Sequence, residues 1–475
     1  MSYASLGLAV LMGWTGLSSR ANADSSNSPT PNGIAQAEPK RSKGQAQEYR
    51  LEWNRKTLAA DYERFGTHDA KWDEWAKRAL ELFAQLRTGG QDKMKTVLPD
   101  LGVSLMRAVI GGCNDPEIKY LHARFVMPVL GGTPQEQATV FRAVADQLSG
   151  SQRPAIRKYY AALRAATILN PGTNAPSTEI RHWREQTQRF LTEVVNDQAT
   201  PVGEVCDAWE AYLDAVPDNT EEHYQPYSKL EPILFKNWPT ESSLFLLKGR
   251  FYTDYAWWAR GTGWADSVTP KGGEDFEKRL GIAEKALEEA WRLDPSDARI
   301  ARRMITVEMG QGRGRTRMEQ WFERAMALNP NYCDACLAKL LYLCPKWHDS
   351  REEMIGFASE CLRSEKWGGK VPCIVLEAHK LIAESLDATA QNDYWKLPEV
   401  YPQIKQALDK LIRLNPGVED WHHNYALYAF RAEQWADLNR ELKLIGRGVD
   451  YGFFGGKEEF DRITRIAKEH AGKAN

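Results

Sequence analysis

The sequence predicts an all-α protein built from stacked helix hairpins. Three observations carry that prediction. One phrase recurs, with small or apolar residues at helical spacing and a Leu-Asp-Pro or Leu-Asn-Pro close. It runs Ala283, Ala286, Leu287, Ala290, Leu293, Asp294, Pro295, and returns 35 residues later as Met318, Trp321, Phe322, Ala325, Leu328, Asn329, Pro330. Looser copies end at Pro171 and Pro416. The spacing puts the apolar positions on one helix face, and a single hairpin cannot bury such a face alone, so neighbours must stack. Alternating Val/Ile/Thr runs are scarce, while Ala, Leu, Glu, Arg and Lys segments abound.

The elements follow in order. Residues 24–48 carry Ser, Asn, Pro, Gln and Lys with almost no large apolar side chain, which predicts a disordered linker. An N-terminal α-helical domain is expected over 49–237. Its first clear amphipathic helix holds Trp72, Trp75, Ala76, Ala79, Leu80, Leu82 and Phe83 and stops at Gly89-Gly90. Another carries Leu101, Leu105 and Val109 up to Gly111-Gly112. Thr133-Pro134-Gln135-Glu136 reads as a capping box with proline in the first turn. Helices are expected near 153–169, 178–197 and 201–215. The prolines 217, 226, 232 and 239 mark the boundary to a repeat domain over 238–475. That domain opens with a helix at 241–258 and continues with helices near 350–364 (capped by Ser350), 371–386, 400–414, 419–432, 433–445 and 457–470. Pro295 and Pro330 each stop a helix, and Ser296 or Asp297, and Asn331, can cap the next.

Residues 240–435 resemble the tetratricopeptide repeat superfamily. Ala283, Leu287, Ala290 and Pro295 match its second-helix positions and terminal proline. Phe322, Ala325 and Pro330 match in the next repeat, where Met318 replaces the usual small residue. The first-helix Trp-Leu-Gly-Tyr pattern is mostly absent; Gly249 and Tyr252 supply part of it. The resemblance implies a tetratricopeptide-like α-α superhelix that binds a protein or peptide and names no partner. Ala259-Arg260-Gly261-Thr262-Gly263-Trp264, ahead of a Leu-Asp-Pro helix, also resembles a segment of exported bacterial proteins of uncharacterised function. That resemblance implies no activity.

Composition bounds the function. Hydrophobic residues make up 43% and charged residues 27%, ordinary for a soluble globular protein. The formal charge of −2 gives no general attraction to nucleic acid. Ala4 to Leu17 is a short apolar run, and Ala21-Asn22-Ala23 has the small-x-small form of a cleavage site. Residues 1–23 are therefore expected to be a signal peptide and the protein to be exported, periplasmic or secreted. The run is too short to favour a spanning helix, so no stable membrane span is expected after cleavage. No Lys or Arg precedes it, which keeps an uncleaved anchor open.

Trp257-Trp258-Ala259-Arg260-Gly261-Thr262-Gly263-Trp264 is the candidate partner-binding segment. It is expected to leave a helix and form a loop reaching about Gly273. Trp257, Trp258 and Trp264 offer flat apolar faces, Gly261 and Gly263 permit tight backbone, and Arg260 can pair with a carboxylate or stack on a ring. The competing reading is that these rings only pack. Five of seven cysteines, Cys333, Cys336, Cys344, Cys361 and Cys373, lie within 41 residues. They read as disulfides, as buried thiols, or as a redox or metal site; a second Cys-x-x-Cys is absent. Cys333 and Cys336, spaced i, i+3 near a helix start, favour a thiolate there.

Gly310-Gln311-Gly312-Arg313-Gly314-Arg315-Thr316-Arg317 reads as an inter-helix turn, because it lacks the Gly-Lys-Ser/Thr ending of a phosphate loop. His422-His423 has no accompanying metal-ligand spacing. No catalytic residue, metal site or cofactor is assigned. The expected function is a non-catalytic exported scaffold binding a protein or peptide. The alternative is an α-helical toroid enzyme acting on polysaccharide, a lyase or glycosidase, suggested by export, 17 tryptophans and abundant carboxylates.

Overall fold

The computed structural model describes residues 43–471, apart from 90, 170–175, 216–220 and 419. The expected signal peptide, most of the linker, and the repeat copy ending at Pro171 lie outside the described residues. Among the described residues there are 21 α-helices and no strand. None of these helices is long and apolar enough to cross a membrane. Contacts divide the chain into two compact units that part between Thr262 and Gly263.

In the first unit, helices adjacent in sequence pack pairwise, as Asp73–Thr88 does on Gln91–Gly111 and Ala155–Ile168 on Ser177–Asn196. The Thr133 box forms as expected. Its hydroxyl accepts from the Glu136 N–H while the Glu136 carboxylate accepts from the Thr133 N–H at 2.7 Å. Two expectations are corrected. The chain is already helical from Lys43, inside the expected linker, because Gln45-Ala46-Gln47-Glu48 extend the Lys43–Phe65 helix as good helix formers. Pro226 and Pro232 sit inside the Glu221–Asn237 helix and Pro239 in the turn after it, and the two units part later, between Thr262 and Gly263; Pro217 lies outside the described residues. The following helix, Ser242–Arg260, stays with this unit because its rings pack back onto that helix. Phe251 stacks on Tyr227 at 4.1 Å between centroids, and Tyr255 stacks on Tyr224 at 4.4 Å.

The second unit carries the repeated phrase. Ala283, Leu287 and Ala290 are buried on the Pro270–Leu293 helix, as are Met318, Phe322 and Ala325 on Arg315–Leu328. Between them lies Ala298–Gln311, whose start is capped by Asp297 accepting from the Arg299 N–H. Asn331 does not cap the next helix, which begins at Cys333 after Tyr332 with no side-chain cap. Gly312 takes φ 62° and Gly314 φ 104°, left-handed positions that let the chain reverse between paired helices. One short helix has no counterpart in the sequence expectations. Ala388–Tyr394 is capped by Asp387 and lies between the Ile374–Glu384 and Val400–Leu414 helices.

Candidate functional site

The aromatic segment divides between packing and exposure. Trp257 is buried at the end of its helix, and Trp258 stacks on Tyr255 at 5.7 Å. Those rings continue into Tyr224, Phe251, Tyr227 and the fully buried Trp209, so this part is core of the first unit. The Arg260 guanidinium lies 5.8 Å from the Trp257 ring centroid, and burial lowers its affinity for a proton. Gly261 needs its glycine, with φ 74° as it closes the helix. The expected long loop is shorter, because Thr269 caps a helix that already starts at Pro270. Within the second unit Trp264 is 62% exposed, with Lys346 at 5.9 Å from its ring. Of the candidate rings, Trp257 is thus committed to packing within its own unit and Trp264 is open to solvent within its own.

Two pairs of cysteines approach each other, with no disulfide among the described residues. Cys333 Sγ and Cys373 Sγ are 3.1 Å apart. Cys336 neighbours Cys361 and lies 3.7 Å from the Met326 sulfur. Cys344 joins neither pair. The expected thiolate at Cys333 is corrected. The Cys373 hydrogen bond favours it, but burial and neighbouring thiols leave the Cys333 thiol raised above its usual range. Burial and Cys361 hold Cys336 well above that range; the Cys333 hydrogen bond and burial do so for Cys373. Among the described residues no group of three metal-ligating side chains forms.

The glycine-arginine turn is an ion lattice. Arg317 donates to Glu308 at 2.8 Å and Glu284 at 2.9 Å, and Arg313 also pairs with Glu284. Arg315 reaches Asp349 and Glu353 at 3.0 and 2.9 Å. The arginines are thus matched by carboxylates from neighbouring helices. His422 pairs with Glu441 at 2.7 Å, and His423 accepts from the Asp450 N–H at 3.0 Å, so each has a structural partner.

Sequence reading missed a polar pocket around the short Ala388–Tyr394 helix. Its walls are Lys380 and Glu384, Gln391 and Asn392, Trp395, and Arg431, and it encloses about 210 Å3. Lys380 and Glu384 are one turn apart on the Ile374–Glu384 helix, so they share a face. His379, next to Lys380, shares a 2.7 Å hydrogen bond with Tyr394, next to Trp395, which ties the two elements together. Burial lowers the His379 imidazole to about 4, so that ring is neutral at pH 7. Trp395 is buried, and Arg431 lies over both its ring and that of Tyr428, 5.3 and 5.6 Å from the centroids. The signal available in the sequence was Trp395 with Asp387 as a helix start, in a stretch the repeat register left unassigned.

No protein-family model and no curated protein sequence matches the chain. Among solved structures, a human IFIT1 dimer with m7Gppp-AAAA aligns over 89% of this chain and 95% of that one, with 12% identity and a TM-score of 0.26. At that score no residue role is transferred.

Proposed function

We propose that this protein is an exported, non-catalytic helical-repeat scaffold that binds a protein or peptide. The supporting observation is the disposition of its buried carboxylates. Glu204 is held by Arg50 and Arg87, Asp115 by Arg153, and Glu284 and Glu308 by Arg313 and Arg317. Arg50 and Arg87 engage both Glu204 oxygens and, against the cost of its burial, hold its proton affinity well below the usual carboxylate range, which makes that carboxylate a poor general acid. The stacked helices are then a rigid frame for contact surfaces. The test is affinity capture from native envelope extract, run beside incubation with a polysaccharide panel. A specific partner with no sugar released supports the scaffold. Sugar release without a partner refutes it and restores the toroid enzyme.

Export rests on the Ala4–Leu17 run and the Ala21-Asn22-Ala23 site. An oxidising compartment would let Cys333 and Cys373 close into a disulfide. The two thiols would give up two protons and two electrons to an oxidant disulfide such as oxidised glutathione, which becomes two thiols. Alkylation counting on protein from the native compartment tests this. Five reactive thiols under denaturing, non-reducing conditions are expected, and seven would contradict it.

A further inference from the structure

We infer that the pocket at Trp395 binds an α-carboxylate together with its neighbouring N–H, the chemistry of a peptide C-terminus or a free amino acid. This rests on the scaffold proposed above and names what that scaffold grips.

Size sets the first limit. At about 210 Å3 the pocket falls below the roughly 300–1,000 Å3 of sites for drug-sized ligands. It admits one residue, not a nucleotide cofactor.

Charge sets the second. Lys380 and Arg431 oppose one carboxylate, Glu384, so the lining carries net charge 2 − 1 = +1. That suits a single carboxylate better than a phosphate dianion, which Glu384 would repel. Among the described residues Glu384, Gln391, Asn392 and Arg431 make no side-chain hydrogen bond or ion pair, while Lys380 pairs with Glu377 at 3.8 Å, which leaves Arg431 as the cation open to a ligand carboxylate. This contrasts with Arg313, Arg315 and Arg317, each paired with at least one carboxylate.

Orientation sets the third. Stacking over Trp395 and Tyr428 fixes the plane of the Arg431 guanidinium, so less freedom is lost when its N–H fork meets a carboxylate. Glu384 can accept the adjacent N–H, Gln391 and Asn392 can pair with the preceding peptide group, and the Trp395 ring can seat the side chain. The pocket depends on the short helix lodged between Ile374–Glu384 and Val400–Leu414, so it belongs to this stretch and not to every repeat.

The experiment uses the full chain and saturation-transfer NMR with three probes. These are a pool of N-acetylated tetrapeptides with free C-terminal carboxylates, the same pool amidated, and a mixture of free amino acids. Binding by the first pool with at least about tenfold weaker binding by the second supports a peptide C-terminus. Binding by the amino acids alone supports the free amino acid as the source. No binding by either acid, or equal binding of acid and amide, overturns the inference. Arg431→Gln should weaken the bound acid at least about tenfold, and Arg431→Lys less; binding unchanged in Arg431→Gln overturns the location. Should that variant not fold, Glu384→Leu serves in its place and should weaken binding by removing the acceptor for the ligand N–H. Silent probes alongside a captured partner would remove the pocket and leave the scaffold. Probe binding without any captured partner would do the reverse.

Discussion

The two units bury charge in opposite ways. In the first unit both members of an ion pair leave water. Arg50 and Glu204 side chains are 6% and 0% exposed, and Arg153 and Asp115 are 3% and 0%. In the second, a buried carboxylate is met by an arginine that stays wet. Glu308 is 0% exposed but Arg317 is 39%, and Glu284 is 10% exposed but Arg313 is 45%. The first unit therefore depends on pairs that neither partner can leave. In the second, arginines at the turns fasten buried carboxylates from outside.

Glu204→Ala should break this contrast most visibly. It leaves two buried guanidiniums, Arg50 and Arg87, sharing only the half-exposed Asp207, and losing one partner of a buried network costs about 3–5 kcal/mol. Urea unfolding should show the loss in the first unit's transition. Replacing Arg50, Arg87 and Glu204 together with apolar residues of similar volume should recover most of it. A loss under about 1 kcal/mol in the single variant would mean the network is not what holds that unit.

The corresponding damage in the second unit is a cavity. Leu287 is fully buried, and Leu287→Ala should cost about 2–5 kcal/mol, read as a shift in its melting transition. Arg317→Ala strands the fully buried Glu308 carboxylate, whose proton affinity burial already pushes up, so the loss should be limited by Glu308 taking up a proton and should grow as pH rises.

Acid sharpens the difference further. Burial lowers the folded-state affinity of His379 to about 4, against about 6.5 for an unperturbed histidine. As pH falls below 6.5 the unfolded chain takes the proton and the folded one does not. Stability of the second unit should therefore decline from pH 6.5 to 4, by up to about 1.4 kcal/mol per pH unit. His379→Phe should flatten that slope in melting curves between pH 7 and 4.5. Glu204 has the same sign at a lower pH, since Arg50 and Arg87 overcome its desolvation and hold its proton affinity low. Its contribution persists above the ordinary glutamate value of about 4.3 and is lost only on stronger acidification. The second unit should soften first.

The smallest effect belongs to a surface cap. Thr133→Ala removes one half of the capping box and should cost about 1 kcal/mol in the first unit.

What the sequence disclosed follows the same line. Repeats in the second unit were legible because small and large apolar residues alternate at helical spacing, as at Ala283, Leu287 and Ala290. Capping at Thr133 and the turn at Gly312 were legible because their chemistry is local. The buried ion network was not, since Arg50 and Glu204 are 154 positions apart and charged residues are ordinarily read as surface. Trp257 and Trp258 were read as a candidate surface, but tryptophans at a helix end look alike whether they face water or other rings. The pocket escaped notice for a related reason. Lys380, Trp395 and Arg431 come from three elements, and no spacing rule links them.

The central claim is that the second unit grips a ligand beside Trp395. Hydrogen–deuterium exchange on the full chain, with and without the captured partner, tests it most directly. Protection is expected on Ile374–Glu384, Ala388–Tyr394 and Asp420–Arg431, with the Trp257–Trp264 segment unchanged. Protection confined to Trp257–Trp264, or none on the three helices, would contradict it.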